Sequence, residues 1–279
     1  MTASFFVAII FIPTVNTPLD VWQSNLFIYN IIPRIFNTCF VKHCFTPTNI
    51  SNMFASHMKT VFLPTKIQGL IFDVDLTLYE NRDYYQSLND RLIERLAGHR
   101  QQDPRETAQE LQTFRDAFTR THGRSISMAD TFTHFGIGIQ QSAAWRAELF
   151  EPEAFLKNDP RLVQTMQRLH RHFTLGVVTN NAGSVARRTL AVLGVAAFFT
   201  TIVGLDRSGV SKPDMKPFRL AVSDMDCRPE CTVCIGDRQD IDVDIPVKNG
   251  MGGILVESLN DVYGLPDLLT GNVPSGEPN

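Results

Sequence analysis

From Lys66 onward the chain alternates between short apolar runs and longer segments with helical spacing. Ile67 to Phe72 is an apolar run that ends on Asp73, the pattern of a buried strand feeding an acidic loop. About 75 residues of helical pattern follow. Tyr84, Tyr85, Leu88, Leu92, Ile93 and Leu96 recur near the helical period and predict a helix over 82–97. Pro104 opens a second helix with Ala108, Leu111, Phe114 and Phe118 on one face, and Gly123 marks its end. Shorter helices are expected over 128–135 and 141–150, separated by Gly136 and Gly138. Beyond Pro160 the elements alternate. Helices over 161–171, 184–193 and 217–225 precede strands at Leu175–Val178, Thr200–Val203 and Thr232–Ile235, and a last strand runs from Gly253 to Val256. Strands spaced by single helices predict an α/β fold: a Rossmann-like parallel sheet with helices on both faces.

The first 57 residues do not share this texture. Their ordinary charges are Asp20, Arg34 and Lys42, and they contain no glycine. The apolar run from Phe5 to Ile12 stops at Pro13, well short of the ~20 residues that span a bilayer. No positive residue precedes it, so it makes a poor signal peptide. Residues 1–57 are therefore left unassigned, as a dispensable or disordered extension or a mis-set start, with Met58 as the expected beginning of the domain. A membrane-surface anchor is the rival reading of that segment. The tail 271–279, rich in Gly, Pro and Ser, is expected to be disordered.

Composition narrows the function class. Lys and Arg total 26 against 29 acids and form no block, which argues against a nucleic-acid partner. Five cysteines in 279 residues make no disulfide framework, so a reducing, cytoplasmic setting is expected. Cys39, His43 and Cys44, with Cys227, Cys231 and Cys234, invite a zinc reading. Cys231 to Ile235 has the pattern of a buried strand, which lacks the knuckle of a zinc site, and cysteine is a common small core residue.

Ligands of open parallel sheets bind beyond the carboxyl ends of the strands. Those ends deliver Asp73, Asp75 and Thr77, then Thr179, Asn180 and Asn181, then Ser211, Lys212 and Asp214, then Asp237, Asp240 and Asp242. Hydroxyls, a cation and carboxylates thus meet on one rim. Thr77 has a structural reading, as a helix N-cap and loop organiser.

This set resembles the haloacid dehalogenase superfamily, and within it the aspartate-nucleophile phosphatases. All four motifs occur in order, across about Lys66 to Leu269. The resemblance implies that Asp73 is the nucleophile and Asp75 the general acid and base. It implies that Thr179, Asn180 and Lys212 bind the transferred phosphoryl group. Mg²⁺ would be held by Asp73, Asp237 and the backbone carbonyl of Asp75. Asp242 would orient Lys212 or a water of the metal, and Asp240 has no firm role. A divalent cation suits this chemistry, because a carboxylate must approach a phosphate dianion. The resemblance further makes residues 58–79 and 157–270 the core domain and 80–156 a helical cap inserted after the first motif. Tyr84, Tyr85, His122, Arg124, Trp145 and Arg146 are the cap residues that could reach substrate. The family often has Gly where this chain has Leu76, which bears on the flexibility of the loop.

The expected activity is Mg²⁺-dependent hydrolysis of a small phosphorylated metabolite through an aspartyl-phosphate. A sugar phosphomutase of the same fold, or a non-catalytic binding module that keeps the fold, are the alternatives. Dehalogenase and phosphonatase activities are disfavoured because those relatives lack an acid at the position of Asp75.

Overall fold

The computed structural model describes residues 58–271. The expectations for residues 1–57, including the contribution of Cys39, His43 and Cys44 to a zinc site, and those for 272–279 lie outside the described residues.

Six strands form one sheet: β1 (Lys59–Phe62), β2 (Gly69–Phe72), β3 (Thr174–Val178), β4 (Phe199–Val203), β5 (Thr232–Gly236) and β6 (Gly252–Leu255). Their order across the sheet is β1-β6-β5-β2-β3-β4. β2 to β6 pair in parallel, as expected, but β1 pairs antiparallel with the edge strand β6. That edge was not legible in the sequence: the residues of β1 are exposed or half-buried and carry no apolar alternation.

Helices α1 (Arg82–Arg100), α2 (Pro104–His122), α3 (Met128–His134), α4 (Ile139–Leu149) and α5 (Pro152–Phe155) all lie between β2 and β3. After them come α6 (Pro160–His170), α7 (Gly183–Val192), α8 (Leu205–Ser208), α9 (Met215–Asp224), α10 (Asp244–Lys248) and α11 (Leu259–Thr270). The sequence reading missed α11, because Gly264 and Pro266 interrupt its pattern. A capping box of Ser258 and Asp261 starts it, and Val262, Leu265 and Leu269 are buried. Among the described residues no helix is long and apolar enough to cross a membrane.

Local chemistry sets most helix starts. Asp103 accepts from the backbone of Arg105 and Glu106 ahead of α2, with Pro104 in the first turn. The cap of α1 is Asn81, whose Oδ1 accepts from the Tyr84 N–H at 2.8 Å. This corrects the expectation for Thr77. Its side chain caps no helix and sits buried in the preceding turn, its hydroxyl without a hydrogen-bond partner.

The sheet is covered on both faces. Leu70 and Phe72 of β2 join the main core with Leu175, Val177, Val233 and Ile235, while Ile71 faces a second cluster with Val178, Val203, Phe218 and Cys234. A strand's two-residue alternation thus feeds two cores, which explains its continuous apolar run. The inserted helices extend the main core. Leu88, Leu92 and Leu96 of α1 are buried, and Phe132 packs edge-on to Trp145 with ring centroids 6.1 Å apart. Phe132 is fully buried, so Phe132→Ala is expected to destabilise the chain by about 3–5 kcal/mol. Denaturant unfolding followed by circular dichroism would register this as a lower midpoint with an unchanged slope.

The chain runs from β2 to β3 and β4 on one side, then crosses β2 to build β5 and β6 on the other. The carboxyl end of β2 therefore lies at the point where the winding reverses, which is where parallel sheets open a crevice.

Candidate active site

Asp73 follows β2 directly, and its N–H donates to the Ile235 carbonyl of β5 at 2.9 Å. That bond extends the strand pairing and holds the carboxylate at the crevice, where it is 4% exposed. Lys212, 1% exposed, donates from Nζ to Asp73 Oδ1 and to Asp242 Oδ1, each at 2.6 Å. Burial lowers the pKa of this amine, but the charges of Asp242 and Asp73 outweigh it and raise the pKa. Lys212 is thus a fixed cation between two carboxylates.

The backbone of Lys212 is also held. Asn180 Oδ1 accepts from its N–H at 2.7 Å, and Asn180 Nδ2 donates to its carbonyl at 3.2 Å. The resemblance suggested Asn180 as a phosphate ligand; it lines the cavity, and its carboxamide fixes the lysine loop. Thr179 is buried, and its Oγ1 accepts from the Asn181 N–H at 3.1 Å.

Asp242 reaches Lys212 because Gly236 leaves room. A Cβ on Gly236 would lie 2.5 Å from the Asp242 Cβ, so only glycine fits there. The second oxygen of Asp242 accepts from the Arg238 N–H at 3.1 Å. One π-helical turn, Gln239–Val243, turns Asp240 elsewhere. Asp240 Oδ2 accepts from the N–H and the hydroxyl of Ser125, at 2.7 and 2.6 Å, in the loop between α2 and α3. Neither carboxylate serves as a simple helix cap.

Asp75 is oriented by two donors that sequence reasoning did not assign. Tyr79 donates its hydroxyl to Asp75 Oδ1 at 2.7 Å, and Asn181 Nδ2 donates to Asp75 Oδ2 at 2.5 Å. Both stand within the motif segments already singled out, but spacing alone could not show which way their side chains point. Burial, followed by the charge of Asp73, pushes the Asp75 carboxyl up to about 6. The loop between them is tight: Leu76 has φ 60°, in the left-handed region. That conformation costs a non-glycine residue about 1–2 kcal/mol, which gives a physical reason why glycine is common at this place.

Asp237 completes the cluster. Carboxylate oxygens of Asp73, Asp237 and Asp242 lie within 4.8 Å of one another. Both oxygens of Asp242 are engaged by Lys212 and Arg238, whereas Asp73 Oδ2 and Asp237 Oδ1 are buried and accept no hydrogen bond. Burial, then the charges of Asp73 and Asp242, pushes Asp237 up to about 7, and burial also raises Asp73. Crowded acids with free inward oxygens need a compensating cation, and an all-oxygen set suits Mg²⁺. The residues present therefore fit a divalent ion, with Asp73 and Asp237 as side-chain ligands. The side chain of Asp75 is committed to Tyr79 and Asn181 and would not be one.

The acids Asp73, Asp75 and Asp237 open into a small cavity of about 60 Å³. Its opposite wall comes from the inserted helices, including Tyr85, Arg146 and Phe150. The other insert candidates lie elsewhere. Tyr84 is stacked on Phe155, Trp145 packs against His99 and Phe132, and His122 and Arg124 lie against Phe118 in an exposed stretch.

The chain is similar to several known proteins. A glyceraldehyde 3-phosphate phosphatase of Methanothermobacter thermautotrophicus is 32% identical over 106 residues, covering 38% of this chain and 47% of the relative. The chain thus spans about half the length of that relative. A glyceraldehyde 3-phosphate phosphatase of Methanopyrus kandleri is 28% identical over 184 residues, covering 63% of this chain and 78% of the relative. The crystal structure of a HAD phosphatase from Thermococcus onnurineus superposes with a TM-score of 0.49 at 16% identity, covering 74% of this chain and 99% of that one. The haloacid dehalogenase-like hydrolase model matches residues 70–256, more than half of the chain, and takes in the carboxyl ends of β2 to β6. The chain belongs to the haloacid dehalogenase-like hydrolase family.

Proposed function

We propose that the chain is a phosphatase that hydrolyses a small phosphomonoester through an aspartyl-phosphate on Asp73. One observation carries this reading. A buried carboxylate with a free oxygen lies against a buried lysine, while a second carboxylate two residues away is held by two donors.

The chain's own groups account for both half-reactions. An oxygen of Asp73 attacks phosphorus and the ester P–O bond breaks, while Asp75 gives its proton to the departing alcohol. A carboxyl raised to about 6 keeps a protonated fraction near neutrality, as this step requires. Asp75 then takes a proton from the attacking water, the bond from phosphorus to Asp73 breaks, and inorganic phosphate leaves. Lys212 keeps a positive charge beside Asp73 and the phosphoryl oxygens, and the Thr179 hydroxyl is a donor to those oxygens. When bound, Mg²⁺ held by Asp73 and Asp237 would offset the repulsion between nucleophile and phosphate.

Residues 80–156 act in this reading as a cap over the core formed by 58–79 and 157–270. Ser125 to Asp240, Ser127 to Ser211 and Gln140 to the Asp206 carbonyl are hydrogen bonds that join the two. A closed cap excludes water from the phosphoryl group.

The test is phosphate release from a panel of sugar phosphates, nucleotides and short-chain phosphomonoesters, with and without Mg²⁺. Release that requires Mg²⁺ supports the reading, and phosphoryl return to a sugar would point to a mutase. No release from any member would remove it. Asp237→Ala is expected to raise the Mg²⁺ concentration for half-maximal rate by about 10-fold or more, at least the scale seen when metal-site partners are removed. A metal titration that superposes on the wild type would take Asp237 out of the ligand set.

A further inference from the structure

We propose that the substrate carries a second anionic group, a carboxylate or a second phosphoryl, and that Arg146 on α4 receives it. This rests on the phosphatase reading of the same cavity and adds to it the chemistry of the leaving alcohol.

Arg146 is 4% exposed, yet among the described residues no carboxylate lies within ion-pair distance of it. Its protein hydrogen bonds come from Nη1 alone, to the Ser142 carbonyl at 3.0 Å and to the Ser142 hydroxyl. Both bonds are to neutral groups one helical turn away. Nε and Nη2 have no protein partner among the described residues, and the side chain lines the cavity that holds Asp73 and Asp75. A buried guanidinium without a counter-charge is expensive to maintain. Burial accordingly pulls its pKa down to about 10, against the more distant field of Asp75, and it remains a cation at neutral pH.

A purely structural arginine would be expected to bury its charge against an acid of its own domain. Three arginines of the insert do pair with acids, Arg91 with Glu151, Arg95 with Glu148 and Arg100 with Glu110, but these lie at the surface, with side chains 25–36% exposed. Arg146 faces the cavity instead, with Tyr85 beside it on the same wall. The Tyr85 hydroxyl also has no hydrogen-bond partner among the described residues, and it feels the charges of Arg238 and Asp75. Two free donor groups thus confront Asp75 across one cavity.

Asp75 marks the place of the ester oxygen, because it must give that oxygen its proton. An anion seated on Arg146 therefore belongs to the alcohol portion, a short carbon chain away from the ester. Guanidinium pairs with carboxylate and phosphate in a planar, two-bond geometry, which gives the cap a means of selecting such alcohols. Ester substrates with a neutral alcohol would leave the buried charge unpaired, and a site so built discriminates against them.

Matched substrates test this. Phosphoglycolate is compared with 2-hydroxyethyl phosphate, and propane-1,3-diol bisphosphate with 3-hydroxypropyl phosphate; the two pairs separate the carboxylate from the phosphoryl source. In at least one pair kcat/KM is expected to favour the anionic member by about 30-fold or more, the scale of a lost buried charge partner. Arg146→Gln should bring that ratio towards one, and Arg146→Lys should keep part of it. A wild-type ratio near one in both pairs, or a ratio untouched by Arg146→Gln, would overturn the proposal. Calorimetric binding to the wild-type chain with Mg²⁺ gives a readout free of turnover. Phosphonoacetate or methylenediphosphonate should bind at least about 10-fold tighter than ethylphosphonate; equal affinities would also overturn it. Because binding is read separately, a chain that prefers the probes with two anionic groups but releases no phosphate would defeat the hydrolase reading and leave the anion site standing.

Discussion

Asp73→Asn is expected to reduce phosphate release by about 10⁴-fold or more, since a carboxamide is no nucleophile towards phosphorus and the covalent route is lost with it. The fold should survive. The substitution keeps the shape of the side chain, and its carbonyl oxygen can still accept from Lys212 Nζ. Asp242 remains as the second partner of that ammonium, so no buried cation is stranded. The change also removes one of the crowded acids whose ionisation burial disfavours. Melting temperature, followed by calorimetry without metal, should therefore move by no more than a few degrees. Activity retained at a tenth of the wild type would place the nucleophile elsewhere.

Asp75→Asn should be the next most severe, at about 10²–10⁴-fold in turnover, the usual contribution of a positioned acid and base. Its signature is distinct from that of Asp73→Asn. Both proton transfers weaken, but a substrate with a good leaving group such as 4-nitrophenyl phosphate needs no acid in the first step. With it, the variant should release nitrophenol in a burst of about one equivalent and then stall at the aspartyl-phosphate. There is a structural cost to separate from the chemical one. Tyr79 and Asn181 both donate to Asp75, and an asparagine would present its NH₂ to one of them. Tyr79→Phe, which removes one donor and leaves the carboxylate, isolates that component: turnover should fall far less than in Asp75→Asn. Normal steady-state turnover by Asp75→Asn with an alkyl phosphate would reassign the acid.

Much of the architecture was legible along the chain, for identifiable reasons. The apolar runs ending on Asp73, Thr179 and Asp237 could be recognised because a strand buried on both faces must be apolar throughout, and the residue after it is the first polar one. The helices between β2 and β3 declared themselves by their spacing and by Pro104 and Gly123. β1 and α11 escaped for opposite reasons. The first buries too little to leave a pattern, and the second buries well around a Gly and a Pro that conceal the period.

The sequence by itself determined the strand-and-helix order, the family and the identity of the carboxylates at the strand ends, because these depend on local periodicity and on spacing within short motifs. Only the tertiary structure decided how those residues divide the work. It turned Asn180 onto the Lys212 backbone, Asn181 and Tyr79 onto Asp75, and Asp242 under Gly236 to the buried lysine. It sent Asp240 to Ser125, and set Arg146 on the cavity wall while Tyr84 and Trp145 joined the core. The hydrogen bonds among these assignments join residues from 4 to 115 positions apart in the chain, Tyr79 to Asp75 and Ser125 to Asp240 being the extremes. The direction of a side chain is chosen by the burial, hydrogen bonds and charges of whatever the fold brings beside it, and those neighbours have no fixed distance along the sequence.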